Sequence, residues 1–347
     1  SIHYYVKKDY EMEIKVVDRV KIYNKDKADD FLNQEIGLYE SEGGREEKIS
    51  NLKAYTYNLE NDKMVATKVE KDSKFKSTEN KRYNIIKFAF PNVKDGSVVE
   101  YSYTVLSPFI HEMPKIMIEE NVPIIYSEYV FDAPKELGYN INYQGSVLPK
   151  YRVVEEKMLY GADYRTYRFG YENIKAFLEE NYVKNNDNYR TSLRAELNST
   201  YIGNEFKSYS LSWEDVRKEM MKDEEFGGAL KKDNLVRDLL PNEIKQIPTE
   251  FKKAEAILKF VQKNYTWDKK RGAFVDEGIK NLINTKVGNA AEINILLILL
   301  LRNAGIKANP VVLSTVDRGM LTNYLPSITS LNYLIACFDS KDKLYIL

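Results

Sequence analysis

The chain has 347 residues, 43% hydrophobic and 30% charged, a composition typical of a globular protein with a sizeable core. Lys plus Arg and Asp plus Glu both number 52, and the zero net charge argues against whole-chain electrostatic binding to nucleic acid or to an anionic membrane. A single cysteine, Cys337, excludes an intramolecular disulfide. No apolar run is long enough to predict a transmembrane helix.

The first two hundred residues show the patterns of β-structure. Residues 11–22 alternate between apolar and charged side chains, which predicts a half-buried strand of an antiparallel sheet. Residues 49–59 and 63–69 predict a hairpin, and a second hairpin is centred on Gly161. Most of the 27 tyrosines fall in this half, as aromatic residues favour strands. We predict an antiparallel β-sandwich-like domain over residues 1–205.

Helical patterns begin after this domain. Ser212 is a predicted N-cap, and Thr249 is another, in front of a helix over 250–264. A short helix over 274–283 is predicted next, although Gly278 disfavours it. Strands return near the end of the chain, over 308–315, 331–338 and 344–347. This order predicts an α+β domain over residues 206–347, and we expect it to be truncated at its C-terminus, because the sequence stops inside an apolar strand.

The most apolar segment of the sequence, residues 286–305, carries the start and stop signals of a single helix. Asn289 is a predicted N-cap, Glu292 completes a capping box three residues later, and Gly305 follows the last turn. The side chains between them are apolar on nearly every side, so the helix is predicted to be buried. The N-terminus of a buried helix stabilises an anion or a thiolate, yet Ala290 at that position can be neither.

The order of several short motifs resembles the transglutaminase-like superfamily, which shares its core with papain-like cysteine proteases. The motifs are Tyr265–Trp267 after a helix, Gly288–Glu292, Leu301–Ile306 and Asn332–Tyr333. The resemblance covers roughly residues 249–347. The segments 52–59, 90–101 and 107–109 also resemble the uncharacterised β-rich domain that precedes transglutaminase-like domains in bacterial envelope proteins.

This resemblance implies the fold but not the activity. The family cysteine falls on Ala290, the family histidine falls on Tyr333, and the family aspartate would follow Leu347. Alanine has no nucleophile, and tyrosine, with a pKa of ~10, is a poor base near neutral pH. We therefore predict no catalytic residue. The relic cleft is the candidate ligand site and is formed by Trp267, Asn289, Ala290, Asn332 and Tyr333. For Trp267, core packing is the favoured interpretation, and a position in this cleft is the alternative.

The remaining reactive side chains do not form a catalytic or metal-binding set. Cys337 lies about 13 Å from Tyr333 along a strand and is interpreted as a small buried side chain. His3 and His111 have no second ligand at metal spacing, so neither a metal nor a cofactor is predicted. Residues 112–347 contain no histidine, which excludes a Ser-His-Asp triad there.

The sequence favours a non-catalytic protein, a pseudoenzyme that binds or scaffolds in the bacterial cell envelope. It would be periplasmic or extracellular, and its partner would be a peptide, a protein or a glycan. One alternative is an active peptidase or amide-acyltransferase with a non-standard nucleophile. Another is that the β-rich half is a glycan- or protein-binding module.

Overall fold

A computed structural model describes residues 1–41, 44–80, 83–110, 113–208, 212–321, 326–328, 330–340 and 343–347. His111 lies outside these residues. The chain divides into two compact units. The first unit comprises Ser1–Glu180 and Tyr189–Ser210, and the second comprises Asn181–Asn188 and Leu211–Leu347.

The first unit is built almost entirely of strands. Its elements are β1 (Ile2–Val6), β2 (Met12–Lys21), α1 (Asp29–Leu32), β3 (Asn33–Tyr39), β4 (Lys48–Glu60), β5 (Lys63–Lys68), β6 (Lys74–Asn80), β7 (Tyr83–Ala89), β8 (Val98–Ser107), β9 (Ile116–Met117), β10 (Ile124–Pro134), β11 (Leu137–Gln144), β12 (Tyr151–Leu159), β13 (Ala162–Ile174), β14 (Ser192–Ile202) and β15 (Glu205–Ser208). Three sheets result: an eight-stranded sheet in the order β12-β13-β10-β1-β2-β8-β4-β5, a three-stranded sheet β3-β7-β6, and β11-β14-β15 with β9 paired to β14.

The eight-stranded sheet follows the predicted alternation. In β2, Met12 and Ile14 are buried and Glu13 between them is half-buried, whereas Lys15 and Val17 beyond them are exposed. The predicted hairpins are confirmed as β4–β5 and β12–β13. One pairing departs from the antiparallel pattern, because β1 lies parallel to β10. The two strands are more than a hundred residues apart in the sequence, and local alternation carries no information on such a pairing.

The second unit combines helices with a small sheet. Its elements are α2 (Trp213–Lys222), α3 (Asn242–Lys245), α4 (Glu250–Asn264), β16 (Thr266–Trp267), α5 (Ile279–Thr285), β17 (Val287–Gly288), α6 (Ala290–Asn303), β18 (Ala308–Leu313), β19 (Tyr333–Ser340) and β20 (Lys343–Ile346). The strands β18-β19-β20 form an antiparallel sheet, and β16 pairs in parallel with β17. Within the described ranges, no helix is long and apolar enough to cross a membrane.

Helix α6 is the centre of the second unit. Every residue from Ile295 to Leu301 is at most 2% exposed, and the helix packs against α4, α5, β18 and β19. Gly305 has a φ of +83°, the left-handed conformation expected of a residue that terminates a helix. The predicted buried helix is therefore confirmed.

One helix predicted over 250–264 is confirmed but lacks the predicted side-chain cap, and a second helix begins later than predicted. Thr249 occupies the N-cap position of α4, but its side chain makes no capping hydrogen bond. The helix predicted from residue 274 begins instead at Ile279, because Gly278 has a φ of +92°, which a right-handed helix cannot contain. The predicted Ser212 cap is confirmed, with a full capping box to Asp215.

Candidate functional site

The N-terminus of α6 is held by a buried carboxylate. Glu292 is 2% exposed, and its Oε2 accepts a hydrogen bond from the backbone N–H of Asn289 at 2.8 Å. Asn289 Oδ1 in turn accepts from the N–H of Glu292 at 2.8 Å, so the predicted capping box is present. Glu292 Oε1 also accepts from three successive N–H groups, those of Asp276, Glu277 and Gly278, at 3.2, 2.6 and 2.7 Å. One carboxylate therefore fixes both the helix start and the preceding loop.

Two N–H donors at this helix end point at the same oxygen atom. The backbone N–H of Ala290 donates to the carbonyl oxygen of Lys270 at 3.1 Å. The indole Nε1 of Trp267 donates to that oxygen at 2.7 Å. Ala290 is buried, whereas Trp267 is 44% exposed, so Trp267 lies at the surface and does not pack in the core. Both donors are thus satisfied by a backbone carbonyl of the chain itself.

The loop that carries Lys270 is anchored at both ends. The Asp268 N–H donates to the carbonyl of Gly288 at 3.0 Å, which extends the β16–β17 pairing. Arg271 Nη1 contacts both carboxylate oxygens of Asp317, at 2.9 and 3.1 Å. Lys270 Nζ lies 3.1 Å from Asp276. We call residues 268–272 the covering loop, because its central carbonyl satisfies the donors that would otherwise face a ligand.

Asn332 and Tyr333 lie at the start of β19, the strand that packs against α6. Asn332 Oδ1 accepts from the N–H of Thr315 at 2.9 Å, and Asn332 is thereby tied to the segment after β18. Tyr333 is half-buried and pairs with Leu313. Among the described residues, neither side chain hydrogen-bonds to Trp267 or Ala290. Trp267 and Ala290 thus share one acceptor, the Lys270 carbonyl, whereas Asn289 bonds to Glu292 and Phe274, and the other two candidates lie at the start of a neighbouring strand.

The second unit offers neither a thiolate nor an imidazole at this position. Cys337 is 4% exposed and pairs with Asn309 in the interior of the β18–β19 ladder. Burial raises the pKa of the Cys337 thiol, so the reactive thiolate is disfavoured. Within the residues that the structure describes, no group of three or more His, Cys, Asp or Glu side chains could hold a metal ion.

The covering loop was not identified from the sequence. Lys270 contributes a backbone carbonyl, and a backbone atom leaves no signature in the identity of its residue. The additional N–H donors to Glu292 were missed for the same reason, since they come from a loop fourteen to sixteen residues earlier. The only sequence signal near this arrangement is Trp267 itself, a tryptophan between a predicted helix and a charged segment.

The described histidine belongs to the first unit and has a structural partner. His3 Nε2 lies 2.7 Å from Asp132 Oδ2, and Asp132 is 3% exposed. Thr166 Oγ1 donates to the other carboxylate oxygen, and Lys157 Nζ lies 3.4 Å from it. Burial alone would raise the pKa of Asp132, but the hydrogen bonds from His3 and Thr166 and the charge of Lys157 outweigh it and lower that pKa.

This lowered pKa predicts acid sensitivity of the first unit. A carboxyl whose pKa is lower in the folded state stabilises the fold above its unfolded pKa of ~3.9, and that contribution is lost as the pH falls through the folded value. We expect amide exchange in β10 to accelerate below that pH more in the wild type than in Asp132→Asn. Hydrogen-exchange mass spectrometry on β10 peptides measures this difference. An identical pH dependence in both proteins would contradict the assignment.

Comparisons with known proteins agree with this architecture. Residues 8–178 match the model of a domain of unknown function, DUF3857, and residues 238–332 match that of the transglutaminase-like superfamily. Among solved structures, the chain is similar to the crystal structure of a "putative protease" from Parabacteroides distasonis, with a TM-score of 0.70 and 13% sequence identity. The match covers 100% of this chain and 65% of that one. No curated protein matches the chain.

Both resemblances inferred from the sequence are confirmed, and the fold is multidomain, with β-sheets followed by an α+β region. The motifs from Tyr265 to Asn332 fall within the matched segment 238–332. Tyr333 immediately follows that segment. The chain therefore carries a DUF3857 domain followed by a domain of the transglutaminase-like superfamily.

Proposed function

We propose that this protein is a catalytically inactive member of the transglutaminase-like superfamily that binds or scaffolds a partner in the bacterial cell envelope. One observation carries the proposal. Ala290 stands where the family nucleophile is expected. The backbone N–H of Ala290 and the indole N–H of Trp267 both donate a hydrogen bond to the carbonyl of Lys270. The position lacks a nucleophile, and its donors are already satisfied.

The absence of a suitable base supports the same conclusion. Residues 112–347 contain no histidine, and Tyr333 stands at the family histidine position. A phenol with a pKa of ~10 cannot serve as an efficient proton acceptor near neutral pH. Removal of triad members in such enzymes leaves at most the residual catalysis supplied by binding and by N–H donors.

A peptide is the partner that the relic cleft fits best. The Lys270 carbonyl already demonstrates that the two donors can hold a peptide oxygen, and the half-exposed indole of Trp267 offers an apolar surface beside them. A bound peptide would replace the Lys270 carbonyl with one of its own. Envelope localisation rests on the resemblance to bacterial envelope proteins, and fractionation of cells that produce the full-length protein tests it.

Catalytic inactivity is tested with the purified wild-type chain. We expect no hydrolysis of labelled casein and no incorporation of monodansylcadaverine above the buffer rate. Cys337→Ala should behave identically, because Cys337 is buried within the β18–β19 pairing and its thiol is not exposed to substrate. Thiol-dependent turnover that disappears in Cys337→Ala would overturn the proposal and favour an enzyme with a displaced nucleophile.

Peptide binding is tested with a random library of peptides whose C-termini are amidated. We expect Trp267→Ala to lower the binding affinity for captured peptides about tenfold, because a stacked aromatic side chain and one hydrogen bond are lost. Phe251→Ala is the matched control, since Phe251 is 52% exposed on α4 and contacts Tyr345 instead. Equal losses for both variants would exclude the relic cleft as the binding site.

A further inference from the structure

A second cavity lies in the same unit, at the opposite end of α6. It has a volume of about 610 Å³, within the range of small-molecule sites. Helix α2, the segment around Phe226 and Leu230, the last turn of α6 and strand β18 form its walls. Arg302 lies twelve residues after Ala290, about 18 Å along the helix, so this cavity is separate from the relic cleft.

The walls are predominantly apolar. Ten of the thirteen lining residues are hydrophobic, including Trp213, Met220 and Met221 from α2. Methionine side chains adapt their shape to flexible ligands. Asn309, Arg217 and Arg302 are the polar exceptions. Such a lining favours a long apolar group with one polar end.

Arg302 is the polar group that would fix such a ligand. Its Nε donates to the carbonyl of Ala308 at 2.9 Å, and Nη1 donates to the carbonyl of Leu230 at 3.1 Å. These bonds hold the guanidinium at the cavity wall and leave three of its five N–H groups with no acceptor in the part of the chain that the structure describes. Arg217, by contrast, is exposed and forms a bidentate pair with Glu214.

The charge of Arg302 is not neutralised by a contacting carboxylate. Among the described residues, no carboxylate oxygen lies within ion-pair distance of it, and Asp233 acts only through its more distant charge. Burial lowers the pKa of the guanidinium, which is the effect of removing a cation from water without a counterion. A ligand with an anionic head would supply that counterion.

We propose that this cavity binds a long-chain carboxylic acid, with the carboxylate on Arg302 and the alkyl chain against α2. Arg–carboxylate pairs are charge-assisted and often bidentate, which matches the free edge of the guanidinium. The occupant would be a single-chain amphiphile and not a protein segment. The proposal is independent of the relic cleft, and peptide binding there can fail without affecting it.

Trp213 provides a direct test, because the chain contains only one other tryptophan, Trp267. In a Trp267→Phe protein, 9,10-dibromo-octadecanoic acid should quench Trp213 fluorescence below its aggregation concentration. Unbrominated octadecanoic acid should reverse the quenching by competition. The brominated alcohol of the same length should bind at least about tenfold more weakly, since it lacks the charge-assisted bond. Affinity should rise about fourfold for each added CH₂ group across shorter acids.

Variants in the same background identify the head-group contact. Arg302→Gln should reduce the affinity for the acid to that for the alcohol, whereas Arg237→Gln, at an exposed position outside the cavity lining, should leave both unchanged. If Arg302→Gln does not fold, Val312→Glu decides the question. Val312 is half-buried in the cavity lining, and a carboxylate there should abolish binding of the acid while the thermal unfolding midpoint is retained.

Three results would overturn the proposal. They are absence of quenching by the brominated acid, equal affinities for acid and alcohol, and displacement of the acid by amidated apolar peptides at lower concentration than by octadecanoic acid. The last would assign the cavity to a protein partner.

Discussion

Replacing Glu292 with alanine should lower the free energy of unfolding of the second unit by roughly 3–5 kcal/mol. Glu292 is 2% exposed and accepts hydrogen bonds from four backbone N–H groups. Alanine would leave these four donors without their acceptor at the start of α6, where Asn289 is buried. The loss exceeds that of an ordinary helix cap, which is ~1 kcal/mol, because the same carboxylate also holds residues 276–278.

Urea unfolding followed by tryptophan fluorescence measures this effect, since Trp213 and Trp267 both lie in the second unit. Glu292→Gln should cause an intermediate loss of unfolding free energy. Its amide oxygen still accepts hydrogen bonds, whereas its amide N–H groups face backbone N–H donors. Glu255→Ala is the matched control: Glu255 is exposed on α4 and pairs with Lys259, and its removal should leave the midpoint almost unchanged. A Glu292→Ala protein as stable as this control would show that the carboxylate is dispensable.

Shortening one buried side chain of helix α6 should be similarly destabilising. Leu296 is fully buried in the middle of α6. Leu296→Ala should cost about 3–5 kcal/mol, which combines the lost transfer free energy with the cavity left behind. The fluorescence-detected urea transition measures the loss.

Leu344→Ala makes the same chemical change at a residue of β20 that is 58% exposed, and it should shift the transition by no more than ~0.5 kcal/mol. If the two substitutions had equal effects, α6 would not be the centre of the second unit. A change in the slope of the transition would instead indicate an altered unfolded or intermediate state, and the comparison would then use thermal unfolding.

The limits of α6 could be predicted because they are specified by local chemistry. Asn289, Glu292 and Gly305 are within one turn of the ends that they define, and each acts on its own backbone neighbourhood. The absence of a nucleophile at Ala290 was equally clear, since it depends on residue identity alone. The strands of the first unit followed from alternation of period two for the same reason.

The hydrogen bonds from Ala290 and Trp267 to the Lys270 carbonyl could not be predicted. The Lys270 carbonyl reaches Trp267 and Ala290 because the covering loop is anchored to Gly288 and Asp317, and neither anchor lies within the loop itself. The segment Asn181–Asn188 similarly clusters with the second unit, although residues on both sides of it belong to the first. No local pattern encodes such contacts, because they depend on where the chain returns in space.

By itself, the sequence determined the order of the two domains, the buried helix and the absence of a nucleophilic side chain at Ala290, since composition, periodicity and residue identity act locally. The tertiary structure alone decided that β1 pairs in parallel with β10, that one carboxylate gathers four N–H donors, and that Arg302 faces an apolar cavity with no contacting carboxylate among the described residues. These features join segments that are distant in the sequence, and only the folded chain brings their atoms within bonding distance.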